Sequence, residues 1–231
     1  MRAVGAALLA LMATNAAAEP ITAARFTDPT ERYAHGILGD ALEWGGLKLT
    51  LADGTALQFT LPRDHVFEDT APRLADVTGD GALEVIVVET DVNRGAALAI
   101  YGAKGKLAET PHIGQSNRWL APIGAADLDG DGTVEIAYID RPHLARVLRV
   151  WRYKDGALRD VARLDGLTNH RIGERQISGG LRDCGDGPEM IVSDADWARI
   201  VAVRFEGGAL MPTDIGPQNG PESFAAALAC E

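Results

Sequence analysis

Short apolar runs recur along the chain, and glycine, proline or polar residues bound each of them. Runs of this kind between turn residues favour β-strands over helices. The runs 85–88 and 136–139 are continuously apolar, which predicts strands buried on both faces. Because almost no segment shows sustained helical periodicity, the pattern predicts an all-β protein.

One sequence shape, an Asp/Gly-rich loop followed by an apolar run, recurs four times. The last loop aspartates of successive copies are 40, 51 and 55 residues apart. Each copy has room for three or four short strands, and this period is typical of the blades of a β-propeller. The copies span 38–44, 75–88, 126–139 and 182–192, and their marker aspartates are Asp40, Asp80, Asp131 and Asp186.

We therefore predict a single β-propeller domain of about four blades over residues 19–231. One blade cannot cover both faces of its own sheet, so all units should stack around one axis. For closure, Arg25–Leu38 should add a strand to the last blade, and the apolar tail Phe224–Cys230 should pack there. A β-sandwich or an open array of hairpins is the alternative. The approximate blades are 22–66, 67–118, 119–172 and 173–231.

The loop of the best copy carries carboxylates at alternate positions. Asp127, Asp129 and Asp131 would aim inward, Thr133 would offer its carbonyl, and Glu135 would close the site. Such an all-oxygen, anionic set favours calcium over transition metals, and without a cation the aspartates would repel one another. The alternative is a plain Asp-Gly turn before a strand.

The other copies depart from this pattern to different degrees. In the copy at 75–88, Thr78 replaces the second aspartate and leaves Asp76, Asp80 and Glu84, so calcium and a plain turn both stay open. The copy at 182–192 has lost a loop residue and is predicted to be a turn without metal. The copy at 38–44 has no ligand set.

The stretch from Asp127 to Ile136 resembles the calcium loop of FG-GAP repeats, also known as VCBS-type repeats. These repeats form the blades of the integrin α-subunit head and of many exported bacterial proteins. At blade level the resemblance spans 35–210, and it implies calcium-stabilised recognition of a protein or glycan rather than a defined reaction. The ligands it implies are Asp127, Asp129, Asp131, Thr133 and Glu135 in one loop, and Asp76, Thr78, Asp80, Ala82 (through its carbonyl) and Glu84 in the other.

The first 18 residues have the pattern of a signal peptide. Arg2 precedes the apolar run Val4–Ala13, and small residues follow, so cleavage is expected after Ala18. The alternative is a buried helix or a membrane anchor, but the run is shorter than the roughly 20 residues of a bilayer span. We expect an exported protein, periplasmic or extracellular, with no membrane span. In such a compartment Cys184 and Cys230 are predicted to form a disulfide.

The chain is acidic, with 22 basic and 33 acidic residues and a net charge of −11. This charge disfavours nucleic acid and anionic lipid as partners and suits cations. The alternative is that the charge only keeps the protein in solution. We expect a monomer whose protein or glycan partner the sequence does not identify.

The sequence contains none of the common catalytic motifs, and its five histidines are scattered without ligand spacing. We therefore expect a binding or scaffold module; the alternative is a small exported hydrolase or lyase, with His143 or His170 beside a carboxylate as its base. Polar residues between the predicted blades could converge on one face and bind an acidic or sugar-like ligand, or could only satisfy their neighbours. These residues are Asn93, Arg94, Asn117, Arg118, Trp119, Asp140, Arg141, His143, Asn169, His170, Arg171, Glu174, Arg175, Asp196 and Trp197.

Overall fold

The computed structural model describes residues 19–231, so the predicted signal peptide at 1–18 lies outside the described residues. Antiparallel strands and one short C-terminal helix make up the regular structure of the described part. The prediction of an all-β protein is therefore confirmed. Among residues 19–231, no helix combines the length and apolarity needed to cross a membrane.

The strands form three sheets. The first sheet contains β1 (Ile21–Thr30), β2 (Glu43–Leu51), β3 (Ala56–Thr60), β4 (His65–Phe67), β5 (Arg73–Ala75), β6 (Glu84–Asp91), β7 (Gly95–Gly102) and β8 (Gly105–Glu109). The second contains β9 (Leu120–Ala126), β10 (Glu135–Asp140), β11 (Val147–Lys154) and β12 (Ala157–Asp165). The third contains β13 (Leu167–Thr168), β14 (Gly180–Asp183), β15 (Pro188–Asp194), β16 (Arg199–Glu206) and β17 (Ala209–Pro217), and helix α1 (Pro221–Leu228) follows it.

The same four-stranded antiparallel meander occurs three times, as β5–β8, β9–β12 and β14–β17. Matching strands of successive meanders are neighbours: β5 contacts β9, and β9 contacts β14. On the other side β8 contacts β12, and β12 contacts β17. Each meander therefore packs beside the next in the same orientation, as repeated units that share one core must.

The hydrophobic core lies between these layers. Every residue of β6 and β7 is buried, because alternate side chains of one strand point to opposite faces and both faces are covered. Ile86 and Leu98 pack toward Ile136 in the second sheet. On the far face of the second sheet, Val150 packs with Val192 of the third.

The prediction that Arg25–Leu38 adds a strand to the last blade is wrong. The first half of this segment belongs to β1, which pairs with β2. The partner strand β2 is closer in sequence to β1 than any strand of the third sheet is. Pairing β1 with β2 therefore loses less chain entropy. Phe26 fixes this pairing by stacking on Phe67 at 5.3 Å and on Trp44 at 6.3 Å.

The C-terminal tail packs against the third sheet, as predicted, and does so as helix α1. Phe224 and Ala227 are buried in a cluster with Ile191, Ile200 and Ala202. The predicted disulfide is confirmed: Cys184 and Cys230 are bonded, with their Cα atoms 5.8 Å apart. The helix thus covers the face of the third sheet that points away from the second.

Candidate functional site

The antiparallel meanders sort the connecting loops to two ends of the molecule. The three Asp loops, 76–83, 127–134 and 184–187, each join the first strand of a meander to its second, so they share one end. We call them the first, second and third Asp loops. The opposite end carries most of the polar residues that the sequence singled out. We call it the pocket end, after a pocket described below. Its segments are 31–42, 92–94, 110–119, 141–146, 169–179 and 195–198.

The second Asp loop brings its carboxylates together. One oxygen each of Asp127, Asp129 and Glu135 lie within 4.8 Å of one another. Asp127 accepts the backbone N–H groups of Asp131 at 3.0 Å and Gly132 at 2.9 Å, which holds the loop tight. Glu135 is buried and accepts the N–H of Leu128 at 2.9 Å, and its burial raises the pKa of its carboxyl.

This carboxylate cluster is only partly neutralised. Arg152 of β11 lies opposite Glu135, and its guanidinium contacts Asp129 at 2.7 Å and Asp131 at 2.9 Å. One arginine thus faces several carboxylates. Oδ1 of Asp129 is buried and has no hydrogen-bond partner among the described residues. An unpaired buried carboxylate oxygen is unfavourable unless a donor or a cation reaches it, so the oxygen set fits a hard cation.

In the first Asp loop, backbone N–H groups rather than an arginine are the hydrogen-bond donors to the carboxylates. Asp76 accepts the N–H groups of the three residues at 79–81 at 2.8 to 3.2 Å. Glu84 accepts the N–H of Thr78 at 3.1 Å, and Ala82 donates its N–H to Asp80 at 2.8 Å. Within residues 19–231, these carboxylates do not form a group as compact as that of the second loop.

In the third meander, two arginines pair with the glutamate that follows the third Asp loop. Glu189 accepts hydrogen bonds from Arg182 at 2.8 Å and from Arg204 at 2.9 Å. Burial would raise the pKa of Glu189, but these two guanidinium groups hold it below its ordinary value. The adjoining Cys184 is in the disulfide. Arginines therefore neutralise this loop where a cation could have done so.

The pocket end contains an open pocket of about 290 Å³. Five of the polar residues that the sequence singled out line it, together with a histidine and three apolar residues. These are Asn117, Arg118, Trp119, Arg141 and His143, with His35, Ile37, Leu144 and Ile172. The structure thus brings part of the predicted polar set together, beside the strongly exposed Leu144 and Ile172.

A buried histidine–carboxylate pair lies at this pocket. Nδ1 of His35 is 2.5 Å from Oε1 of Glu68, and Thr90 donates its hydroxyl to the other carboxylate oxygen at 2.7 Å. Glu68 is fully buried, and burial raises the pKa of its carboxyl. Sequence reasoning missed this pair, because its members are 33 residues apart and share no motif.

His143 or His170 was expected to lie beside a carboxylate, but the two rings contact each other instead. Nε2 of His143 lies 3.0 Å from Nδ1 of His170, whose Nε2 in turn lies 2.7 Å from the carbonyl oxygen of Glu174. Neither of these contacts is with a carboxylate. Burial and repulsion by His170 lower the pKa of His143 to about 4, and burial also lowers that of His170. Both rings are therefore neutral near pH 7.

Several polar residues of the predicted set, including Arg141 at the pocket, have local partners. Arg141 makes a two-pronged contact with Asp140 at 2.9 and 3.0 Å. Arg171 lies over the ring of Trp197 at 4.2 Å. Asn169 donates toward backbone carbonyls inside the structure. Part of the polar set therefore lines the pocket, and several of its members are satisfied by local partners.

Comparison with known proteins agrees with the repeat pattern. Residues 76–138 match the FG-GAP-like repeat, so the resemblance found in the sequence is confirmed for that segment. No curated protein matches the chain. Among solved structures, rhamnogalacturonan lyase YesW is similar with a TM-score of 0.44 and 15% sequence identity, and the match covers 79% of this chain and 44% of that one. The chain spans less than half the length of that solved structure.

Proposed function

We propose that this protein, which contains an FG-GAP-like repeat at 76–138, is an exported, calcium-stabilised β-propeller module of about four blades that binds a glycan bearing carboxylate groups. The repeat and the disulfide fit an extracellular protein. The observation that carries the binding role is the pocket at the pocket end, where guanidinium groups lie beside apolar surface.

Arg118 is the best-placed residue for recognition in this pocket. Its Nη1 donates to the backbone carbonyl of Asn117 at 2.8 Å, so the other N–H groups of the fork can face a ligand. A guanidinium pairs with a carboxylate through two parallel hydrogen bonds. Leu144 and Ile172 are 64% and 69% exposed, and they offer apolar surface to the C–H face of a sugar ring. The volume is near the lower limit of small-ligand sites, roughly 300 Å³, which suits one residue of a polymer.

The proposed calcium sites have a stabilising role at the opposite end. In the second Asp loop, Asp127, Asp129, Asp131 and Glu135 would hold the ion together with the carbonyl of Thr133. Calcium would offset the mutual repulsion of these carboxylates and reach the unpaired Oδ1 of Asp129. In the first loop, the corresponding positions are Asp76, Thr78, Asp80, Ala82 and Glu84.

A binding comparison tests the glycan proposal. Calorimetric titration with oligouronates and with neutral oligosaccharides of equal length should show binding of the charged series only. Arg118→Ala should weaken it by about tenfold or more, because a charge-assisted hydrogen bond contributes about 1.5–3 kcal/mol. Arg159→Ala, which removes an exposed arginine of β12 outside the pocket, is the matched control. Equal affinity of Arg118→Ala and wild type would contradict the proposal.

The His35–Glu68 pair favours a second candidate function, a hydrolase or lyase acting at the same pocket. A buried carboxylate that orients a histidine is a common arrangement for general-base catalysis. New reducing ends would indicate hydrolysis, and absorbance from an unsaturated sugar product would indicate elimination. His35→Ala should abolish either signal. Binding of oligouronates without either product would exclude this candidate and leave the binding module.

A further inference from the structure

We propose that His65, Asp91 and His112 form a binding site for a divalent transition metal, separate from the Asp loops. His65 lies in β4, Asp91 is the last residue of β6, and His112 lies in the segment between β8 and β9. One ligand atom of each lies within 4.8 Å of the others. The site goes beyond the proposed glycan binding and does not depend on it.

Both imidazole rings are oriented by a second hydrogen bond. Nδ1 of His65 is 3.0 Å from Oδ1 of Asp64, and Nδ1 of His112 is 2.7 Å from the carbonyl oxygen of Gly95. A carbonyl can only accept, so Nδ1 of His112 carries the proton and Nε2 keeps its lone pair. The carboxylate of Asp64 favours the same tautomer in His65. Metal-binding histidines are held in this way, with one nitrogen donating to an oxygen and the other free for the ion.

The distances between the ligand atoms suit a small ion after a minor adjustment. Nε2 of His65 is 3.9 Å from Oδ2 of Asp91 and 4.0 Å from Oε1 of Glu89. Two ligands of tetrahedral zinc, each about 2.1 Å from the ion, lie roughly 3.4 Å apart. His65 and Asp91 therefore need to approach by only a fraction of an ångström, and His112 lies within 4.8 Å of both.

The surrounding charges also favour a cation. The carboxylates of Asp64, Glu89 and Asp91 lie around the two rings, while Arg94 pairs with Asp91 at 2.6 Å and Lys106 with Glu89 at 2.9 Å. Glu109 also pairs with Lys106, and Arg32 donates a hydrogen bond to the backbone carbonyl of His65, so four acidic groups face three basic ones. Because the Arg94 side chain is 57% exposed, it can turn into solvent when an ion takes its place beside Asp91.

The donor set distinguishes this site from the Asp loops. Two imidazole nitrogens and one carboxylate oxygen are ligands for zinc, cobalt and related ions, whereas calcium prefers oxygen alone. Three protein ligands leave a further coordination position for water. The ion would tie β4, which pairs with both β2 and β6, to β6 and to the segment after β8.

Zinc titration of the chelator-treated protein, in excess calcium so that the Asp loops are saturated, tests the proposal. We expect one equivalent of tightly bound Zn²⁺. His65→Ala and His112→Ala should each weaken binding by about 100-fold, since losing an outer-shell partner alone weakens it about 10–100-fold. His143→Ala, from the other histidine pair, and Asp129→Asn, from the second Asp loop, are the controls and should bind zinc as wild type does.

A measurement on the wild-type protein makes the test independent of whether the variants fold. Co²⁺ in place of zinc should give visible absorption bands and two shifted, exchangeable N–H proton signals from the His65 and His112 rings. Absence of both, or zinc binding that survives in His65→Ala and His112→Ala, would overturn the proposal. Loss of zinc binding in His143→Ala would do so as well, because it would move the site to the other pair.

Discussion

The three Asp loops neutralise similar carboxylates by different means, and one position of the third meander strand decides which. At this position Gly102 follows the last β6–β7 pair, Val85–Tyr101, in the first loop's meander. In the second meander Arg152 lies opposite Glu135, and in the third Arg204 follows the last β15–β16 pair, Met190–Val203. Glycine offers no charge, so the first loop depends on backbone N–H groups. In the third meander, Arg204 and Arg182 both donate hydrogen bonds to Glu189. Arg152 alone faces a cluster of carboxylates, which leaves the second loop the best suited to a cation.

Calcium should stabilise the protein chiefly through the second Asp loop. At 100 times the Kd a bound ligand adds about 2.7 kcal/mol to the free energy of unfolding, so the wild type should melt higher in calcium than in chelator. Asp129→Asn should lose most of that increase. Asp186→Asn, in the third loop, is the control and should keep it. Identical wild-type melting curves in calcium and in chelator would refute the calcium site.

Glu43 makes stability depend on pH. Burial and the nearby Glu68, Asp40 and Asp69 raise its pKa to about 9. Because this is above the unfolded value, its stabilising contribution is complete below about pH 4.5 and is lost as pH rises toward 9. The free energy of unfolding in urea should therefore fall from pH 5 to pH 9. Glu43→Gln should flatten this fall, whereas Glu109→Gln, at an exposed site, should not. Equal slopes in the wild type and Glu43→Gln would contradict the prediction.

At the scale of elements, the meanders depend on neighbours to cover both faces of each sheet. The third sheet has the second sheet on one face, and helix α1 covers the other through Phe224 and Ala227. The helix is short, and isolated helices of this length are marginal in water. Its stability therefore comes from packing and from the Cys184–Cys230 disulfide.

Deleting residues 222–231 should destabilise the whole domain rather than only its end. The deletion uncovers Ile191, Ile200 and Ala202 and removes a crosslink that closes a 46-residue loop, a contribution of about 4 kcal/mol. Phe224→Ala should lose roughly 3–5 kcal/mol with the disulfide intact. A Cys184→Ser/Cys230→Ser double variant isolates the effect of the crosslink. An unchanged melting temperature and cooperativity in the deletion would contradict this role of the tail.

At the scale of the whole molecule, the loop 31–42 connects the first sheet to the third across the pocket end. Tyr33 accepts the N–H of Asn117 at 2.7 Å, and the carbonyl of Ile37 accepts the N–H of Gly173 at 3.0 Å. Asp40 pairs with Arg175 at 3.0 Å. The loop also supplies His35 and Ile37 to the pocket, so the pocket and the connection between the sheets share one segment.

Gly39→Ala should weaken this connection and the pocket together. Gly39 has a φ of +89°, and a Cβ there would lie 2.6 Å from the carbonyl oxygen of Gly173. Gly54 has a similar φ of +84°, but a Cβ there meets open space. Gly54→Ala is thus a control with the same backbone strain and no clash. We expect a lower melting temperature and weaker ligand binding in Gly39→Ala than in Gly54→Ala. Equal effects would show that the contact with Gly173 is unimportant.

The sequence by itself determined the features that depend on local pattern. Continuous apolar runs such as 85–88 require strands covered on both faces, and the structure buries all of β6. The Asp/Gly alternation predicted the tight loops between strands. Two cysteines in a chain that begins with the pattern of a signal peptide predicted the Cys184–Cys230 disulfide.

Only the tertiary structure decided which distant side chains meet. His35 meets Glu68 and His65 meets His112 because strand ends and loops far apart in sequence reach the same end of the molecule, and no sequence period links such positions. The partner of Arg25–Leu38 was equally hidden, because a strand can pair with any suitable sheet edge. Pairing with β2 prevailed because the loop 31–42 is far shorter than the chain between β1 and the third sheet, so closing it loses less entropy. Local periodicity fixes which residues are buried, whereas the competition among possible partners is settled only when the whole chain packs.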